Sequence, residues 1–306
     1  MAIGRIRLTN FKSFKDLEVE LGKFNVLIGA NASGKSNFIR IFEFLRDIVN
    51  YGLDNAVSLQ GGTEYLRNIN IGLSENFSVE VIFDQGFRRV IRSKEKELVR
   101  IKIYETIYKF VIRFRQRGAG FEIAEDSLTQ KCKFTGLERE GKKIKEKEER
   151  GEGEIISSNV RRKVKVDLKL PEGLQITKDY IFPPILREQK LPPKTLLIES
   201  PFFMAPPFQE IFTDVSIYDF DPKLPKKAVP ITGKMELEEN GENLAIVLKN
   251  ILGDKSKERR LSNLVRDLLP FVNKLGVEKF ADKSLLFKLE EIYAQKQYLP
   301  APLISD

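Results

Sequence analysis

The hydrophobic positions near the start of the chain predict short strands followed by a helix. Ile6 and Leu8 alternate with arginines, which is typical of a half-buried strand. The run 24–28 (Phe-Asn-Val-Leu-Ile) is compact and apolar, and we expect a strand buried on both faces of a parallel sheet. After a glycine-bearing loop, apolar residues recur at helical spacing from Lys35 to Asn50, which predicts an amphipathic helix. The chain therefore opens with strands, a loop and a helix.

The hydrophobic period changes to two between Phe77 and Leu170, which predicts antiparallel strands with one solvated, largely basic face. Within this region, residues 139–154 contain equal numbers of basic and acidic residues and few apolar residues, so we expect a solvated loop or hairpin tip. Most of the prolines lie between Pro171 and Pro230, which indicates an irregular connector. Helical spacing returns after Asn240, with a first helix ended by Gly253 and a second by Pro270.

These patterns predict four segments. They are an N-terminal lobe (1–75), a basic β-rich extension (76–170), a proline-rich connector (171–235) and a helical part (236–306).

The composition narrows the chemistry. The 306 residues contain no histidine, so a Ser-His-Asp catalytic triad and a histidine-ligated metal site are excluded. The single cysteine, Cys132, cannot form an internal disulfide, which fits a reducing compartment. The N-terminus lacks the apolar core of a signal peptide, and no apolar run is long enough to span a bilayer. We therefore expect a cytoplasmic protein without a membrane partner.

The net charge of +8 is concentrated in one region. Residues 86–118 hold eleven Lys and Arg against three Asp and Glu, a surplus equal to that of the whole chain. The strand residues concerned are Arg88, Arg89, Arg92, Arg100, Lys102, Arg113, Arg115 and Arg117. They could contact the phosphates of DNA or RNA, or they could be solvated strand faces balanced by acids from neighbouring strands. Cys132 lies between two lysines, but a lone cysteine without a base is usually inert.

The loop between the apolar run and the helix carries the clearest chemical motif, G-x-x-x-x-G-K-[ST]. It comprises Gly29, Ala30, Asn31, Ala32, Ser33, Gly34, Lys35 and Ser36. Glycines allow a sharp turn in which successive N–H groups point at phosphate oxygens, and the helix N-terminus adds its positive dipole end. Lys35 can reach β- and γ-phosphates, and the Ser36 hydroxyl can bind Mg²⁺. The motif predicts a P-loop that binds ATP with Mg²⁺.

The run 5–48, with its "NFKSF" and "LIGANASGKSN" stretches, resembles the N-terminus of RecF/SMC-like ABC-type ATPases, in particular predicted ATPases related to the OLD family. Other stretches resemble the same group more loosely, among them 125–128 (EDSL), 217–220 (IYDF) and 299–306. The resemblance implies an α/β P-loop NTPase fold, an ABC-type head. It also implies that Asn37 belongs to the nucleotide-binding loop and that Lys12 and Ser13 lie beside the nucleotide. For Lys12, a solvated turn lysine is the alternative.

In such families the tail continues as a signature element, a Walker B strand ending in Asp-Glu and a switch histidine. We therefore expect the chain to be the N-terminal portion of a head, whose remaining half is lost, split onto another chain or omitted. Asp84 and Glu199 each follow an apolar run and could replace Walker B, but ordinary strand acids explain both. We expect ATP to bind and to be hydrolysed negligibly, with no catalytic residue assignable.

The resemblance further implies head-to-head self-association, or a chain carrying the missing half, together with DNA, a nuclease or another effector as partner. Two alternatives remain open: a nucleotide-gated interaction module that does not hydrolyse ATP, and a different P-loop NTPase. The apolar run 24–28 would lack its neighbouring strands, so we also expect an exposed, association-prone segment.

Overall fold

The structure, a computed structural model, describes residues 3–84, 86–94, 97–115, 120–140, 143–184, 188, 190–200, 211–280, 283–294 and 296–304. It divides into two compact units, residues 1–215 and 216–306. The chain is mixed α/β, and a large antiparallel sheet dominates its first unit.

The first unit contains an eight-stranded sheet formed by the described residues. Strands β1 to β8 follow the order β2-β1-β3-β5-β6-β7-β8, and β4 pairs with β5 beside β3. The bounds are β1 Ile3–Phe11, β2 Phe14–Glu20, β3 Phe77–Phe83, β4 Arg88–Arg92, β5 Leu98–Phe114, β6 Phe121–Glu140, β7 Lys143–Val160 and β8 Lys163–Lys169. Every pairing is antiparallel. The sheet is continuous across the predicted boundary at residues 75 and 76, because β1 pairs with β3.

Helices α1 (Lys35–Tyr51), α2 (Leu53–Leu59) and α3 (Thr63–Leu66) follow the loop, and α4 (Lys178–Ile181) lies in the connector. The predicted helix after the loop is confirmed. Its apolar residues recur on one face, and Phe38, Ile41 and Phe44 are buried in the hydrophobic core. The rings of Phe44 and Phe77 meet edge to face with centroids 5.7 Å apart, which joins α1 to β3.

The expectation of a buried parallel strand at 24–28 is wrong for the described structure. The segment belongs to neither sheet, and the side chains of Phe24 and Ile28 are 85% and 91% exposed. A strand becomes buried only when neighbouring strands pair with it and other elements cover its faces, and no described strand pairs with this segment. Its exposure agrees with the separate expectation of an uncovered apolar segment.

The charged stretch 139–154 forms paired strand around the β6–β7 turn, and residues 144–150 are exposed, so the hairpin alternative is the correct one. The connector is largely irregular where it is described. It contains α4, a 3₁₀ helix at Leu197–Glu199 and the two-residue strand β9 at Val229–Pro230.

The second unit combines two helices with a small sheet. Helices α5 (Leu244–Leu252) and α6 (Lys255–Leu268) lie where they were predicted. The Asp254 carboxylate accepts from the Ser256 and Lys257 amides and so caps α6. Strands β10 (Val272–Phe280), β11 (Ser284–Glu291) and β12 (Tyr298–Pro300), with β9, form an antiparallel sheet, followed by a 3₁₀ helix at Ala301–Leu303. The helical description of 236–306 therefore needs correction, because strands β10, β11 and β12 follow the two helices, and β10 and β11 pack against α5.

Candidate nucleotide-binding loop

The phosphate-binding motif forms a tight loop that ends at the first residue of α1. The backbone is left-handed at Ala32 (φ 64°) and Gly34 (φ 98°), and the Ser33 amide donates to the Ala30 carbonyl over 3.3 Å. A Cβ at Gly29 would lie 2.8 Å from Ser33 Oγ, so that hydroxyl would have to move to admit one. At Gly34 a Cβ would meet Ser13 Oγ at 3.0 Å on an already left-handed backbone. Gly34 is thus the glycine of the motif that the backbone conformation requires.

The Lys35 ammonium is folded back over this loop. Its Nζ donates to the carbonyls of Gly29 (2.8 Å) and Ala30 (2.7 Å) and lies 3.5 Å from Ser33 Oγ. These bonds hold a cation at the mouth of the loop, where phosphate oxygens could take over as acceptors. Charge-assisted bonds of this kind are stronger than bonds to neutral carbonyls.

The first turn of α1 leaves its leading amides available. The Phe38 amide donates to Gly34, whereas no side chain of the described residues caps the helix and its first turn contains no acid. Free N–H groups and the positive end of the helix dipole favour an anion here. Ser36 lies in this turn with an exposed side chain.

The β1–β2 turn is joined to the start of α1. Asn37 Nδ2 donates to Ser13 Oγ over 3.0 Å, and a Cβ built on Gly34 would lie 3.0 Å from the same hydroxyl. Lys12 adopts a left-handed backbone (φ 47°), and its Nζ donates to the Tyr65 carbonyl at 3.3 Å. Burial, and secondarily the positive charge of Arg40, lowers the pKa of Lys12. The ammonium of Lys12 is thus directed towards the Tyr65 carbonyl.

These residues fit the phosphates of a nucleotide. The backbone turns tightly through a left-handed Gly34, the Lys35 cation lies over the loop, and no side chain of the described residues caps the helix amides at its base. For Mg²⁺ the chain offers the exposed Ser36 hydroxyl, and no cluster of three metal-ligating side chains occurs among the described residues. Phosphate oxygens and water commonly complete a magnesium shell in such sites.

The two acids considered as Walker B replacements have different surroundings. Glu199 is partly buried and accepts from the Leu53 amide (3.3 Å) at the start of α2 and from the Leu196 amide (2.7 Å). Its carboxylate is thus used to cap two helical turns, and burial raises its pKa. Asp84 is exposed directly after β3.

Several of the basic strand residues are balanced by acids from neighbouring strands, which was the alternative to nucleic-acid contact. Arg100 pairs with Glu146, and Arg113 pairs with Glu122 at 3.0 Å. Arg88, Arg92, Lys102 and Arg115 are exposed, and Arg117 lies outside the described residues. Cys132 is buried, and burial raises the pKa of its thiol to about 12, which makes it unreactive.

The sequence reasoning missed a buried carboxylate at Asp126 in β6. Tyr108 Oη donates to its Oδ1 at 3.0 Å, while the Leu197 amide (2.8 Å) and Asn159 Nδ2 (3.2 Å) donate to its Oδ2. Asp126 thereby ties the connector at 195–199 to three strands of the sheet. The alternation of side chains along β6 could have predicted its burial, because Asp126 lies on the same face of the strand as the buried Leu128.

No helix within the described part of the chain is both long and apolar enough to cross a membrane. The glycine-rich loop with Lys35 and Ser36 at the N-terminus of α1 matches the sequence motif of P-loop nucleotide-binding proteins. A family model described as an AAA ATPase domain matches residues 1–190, more than half of the chain. The chain belongs to this ATPase family, whose members generally bind ATP with Mg²⁺.

A relative in Methanocaldococcus jannaschii is named an uncharacterized protein. It is 36% identical over 93 residues, which is 30% of this chain and 11% of the relative. The chain thus matches about a tenth of that protein's length.

Proposed function

We propose that this chain binds ATP with Mg²⁺ at the loop 29–36 as the nucleotide-binding part of an ABC-type ATPase head of the RecF/SMC and OLD-like kind. The observation that carries the proposal is the position of the Lys35 ammonium, held by the carbonyls of Gly29 and Ala30 over the tight loop. Asn37 and Ser13 brace the same loop. Lys12 borders it through the β1–β2 turn and contributes positive charge.

Titration of MgATP against the wild type and Lys35→Ala tests this proposal. Loss of the cation should weaken binding by about 3 kcal/mol, roughly a hundredfold in Kd. Lys23→Ala removes the same charge from an exposed position before the loop and is the matched control. Equal affinities for the wild type and Lys35→Ala would contradict the assignment.

We further propose that ATP acts here chiefly as a ligand that gates interactions, with hydrolysis depending on groups other than Asp84 and Glu199. The capping role of Glu199 supports this, because a carboxylate that accepts from two amides is committed to holding helix ends. A catalytic carboxylate must instead be free to orient the attacking water.

For partners, we propose association between copies of this head or with a chain that supplies neighbouring strands. The exposed apolar segment 24–28 supports this proposal. DNA and an effector such as a nuclease are proposed by resemblance. For DNA, the exposed Arg88, Arg92, Lys102 and Arg115 are the available contacts.

A further inference from the structure

Arg89 is the one arginine of β4 that points towards the buried side of the sheet. The register places Arg89 opposite Ile101 and Ile91 opposite Val99, and both partners on β5 are buried. Arg88 and Arg92, on the other face of the strand, are exposed. A guanidinium on the apolar face must be compensated, since an unpaired buried charge is costly.

None of the described residues supplies an acceptor that compensates this charge. The Nε and Nη2 atoms of Arg89 are buried and make no hydrogen bond. Burial lowers the pKa of Arg89, and the nearby thiol of Cys132 is neutral and does not compensate the charge. Nε and Nη2 form one edge of the guanidinium, the edge that binds two oxygens of a carboxylate or phosphate side by side.

Two further unpaired groups lie on the same face. Cys132 donates to the carbonyl of Gln130, the next residue on that face of β6, and Gln130 lies opposite Thr106 on β5. Gln130 Nε2 and Thr106 Oγ1 are buried without a partner, and their residues are 6% and 0% exposed. The amide nitrogen donates, as the guanidinium does, and a hydroxyl can donate as well. The face therefore has an excess of donors.

We propose that Arg89, with Gln130 and Thr106, forms a binding site for a small oxyanion, a phosphate or carboxylate group taken from solution. Buried water could accept from the same donors, but water leaves the guanidinium charge unneutralised. An oxyanion satisfies the paired edge and the charge together. The site is separate from Lys35, and it does not depend on the proposed ATP binding.

Binding of inorganic phosphate tests the site, with succinate as the carboxylate arm and ionic strength held constant with NaCl. The experiment uses the full chain carrying Lys35→Ala, so that binding at the P-loop does not contribute. We expect calorimetric titration to show saturable binding of at least one of these anions, and the same anion to raise the midpoint of thermal unfolding. Arg89→Met should weaken that binding at least tenfold, whereas Arg161→Gln, at an exposed arginine in the turn between β7 and β8, should leave it unchanged.

Arg89→Met also distinguishes a ligand site from a structural arginine. Without added anion, its unfolding midpoint should equal or exceed that of the parent, because an apolar side chain replaces an unpaired charge. If neither anion binds the parent, or if Arg89→Met binds as the parent does, the proposal is overturned. The proposal is likewise overturned if Arg89→Met is less stable than the parent and added anion does not raise the unfolding midpoint of the parent.

Discussion

Asn37 Nδ2 donates to Ser13 Oγ over 3.0 Å and so fastens the β1–β2 turn to the first turn of α1. The two residues are 24 positions apart in the sequence. Because Asn37 directly follows the loop 29–36, the contact also restrains the C-terminal end of the phosphate-binding loop. A motif that is local in sequence is therefore held in shape by a neighbouring turn.

Breaking this contact should weaken nucleotide binding without unfolding the protein. Ser13→Ala and Asn37→Ala each remove the hydrogen bond, and we expect each to cost about 1 kcal/mol of MgATP affinity, roughly fivefold in Kd. The double variant should cost little more than either single change, because both remove the same bond. Fully additive losses in the cycle would show that the two side chains act independently.

Asp126 should make folding stability depend on pH. Burial raises the pKa of its carboxyl to about 7, although three donors counteract the shift, and the buried Tyr108 and partly buried Glu199 are the titratable groups that face it. In the unfolded chain its pKa returns to about 3.8. At pH values between these two pKa values, the folded state binds a proton that the unfolded state does not. The contribution of Asp126 to the free energy of unfolding is therefore fully present below the unfolded pKa, and it is lost as the pH rises through about 7.

Chemical denaturation of the wild type and Asp126→Asn between pH 4 and pH 8 measures this effect. The stability of the wild type relative to the variant should fall as pH rises, by up to about 4 kcal/mol over the range. Asp167→Asn on the exposed side of β8 is the control and should not reproduce this fall. A difference between the wild type and Asp126→Asn that does not change with pH would contradict the prediction.

Glu199 should prove structural rather than catalytic. Glu199→Gln weakens the acceptor for the Leu53 and Leu196 amides, so we expect a lower unfolding midpoint and a loss of about 1–2 kcal/mol in stability. Phosphate release from ATP should be negligible in the wild type and unchanged in Glu199→Gln and Asp84→Asn. Steady turnover on the order of 1 s⁻¹ that disappears in either variant would instead identify a catalytic carboxylate.

The segment 24–28 should drive self-association. Phe24→Ser with Ile28→Ser replaces two side chains that are 85% and 91% exposed, so the melting temperature should change little while light scattering falls. Ile69→Ser, at a position 88% exposed outside the segment, is the matched control and should leave association unaltered. A large drop in melting temperature for the Phe24/Ile28 variant would mean that these residues are packed.

Local pattern alone determined the phosphate-binding loop, helix α1, the antiparallel strands after Phe77 and helices α5 and α6. Each of these depends on residue types and spacings within a few turns or one strand, and such periodicity is legible in a single sequence. The motif 29–36 also predicted phosphate binding, because glycine, lysine and serine at that spacing are typical of a P-loop.

Tertiary structure decided what these elements contact. Packing of the 3₁₀ helix at 197–199 against distant elements brought the Leu197 amide to the Asp126 carboxylate. The same packing placed the Glu199 carboxylate where it caps α2. Strand pairing placed Arg89 on the buried face of the sheet, which a five-residue strand of mixed polarity does not reveal. The exposure of the apolar run 24–28 was likewise not predictable from its composition. Its composition favours burial, but burial requires neighbours, and these are set by the chain's register and topology rather than by the run itself.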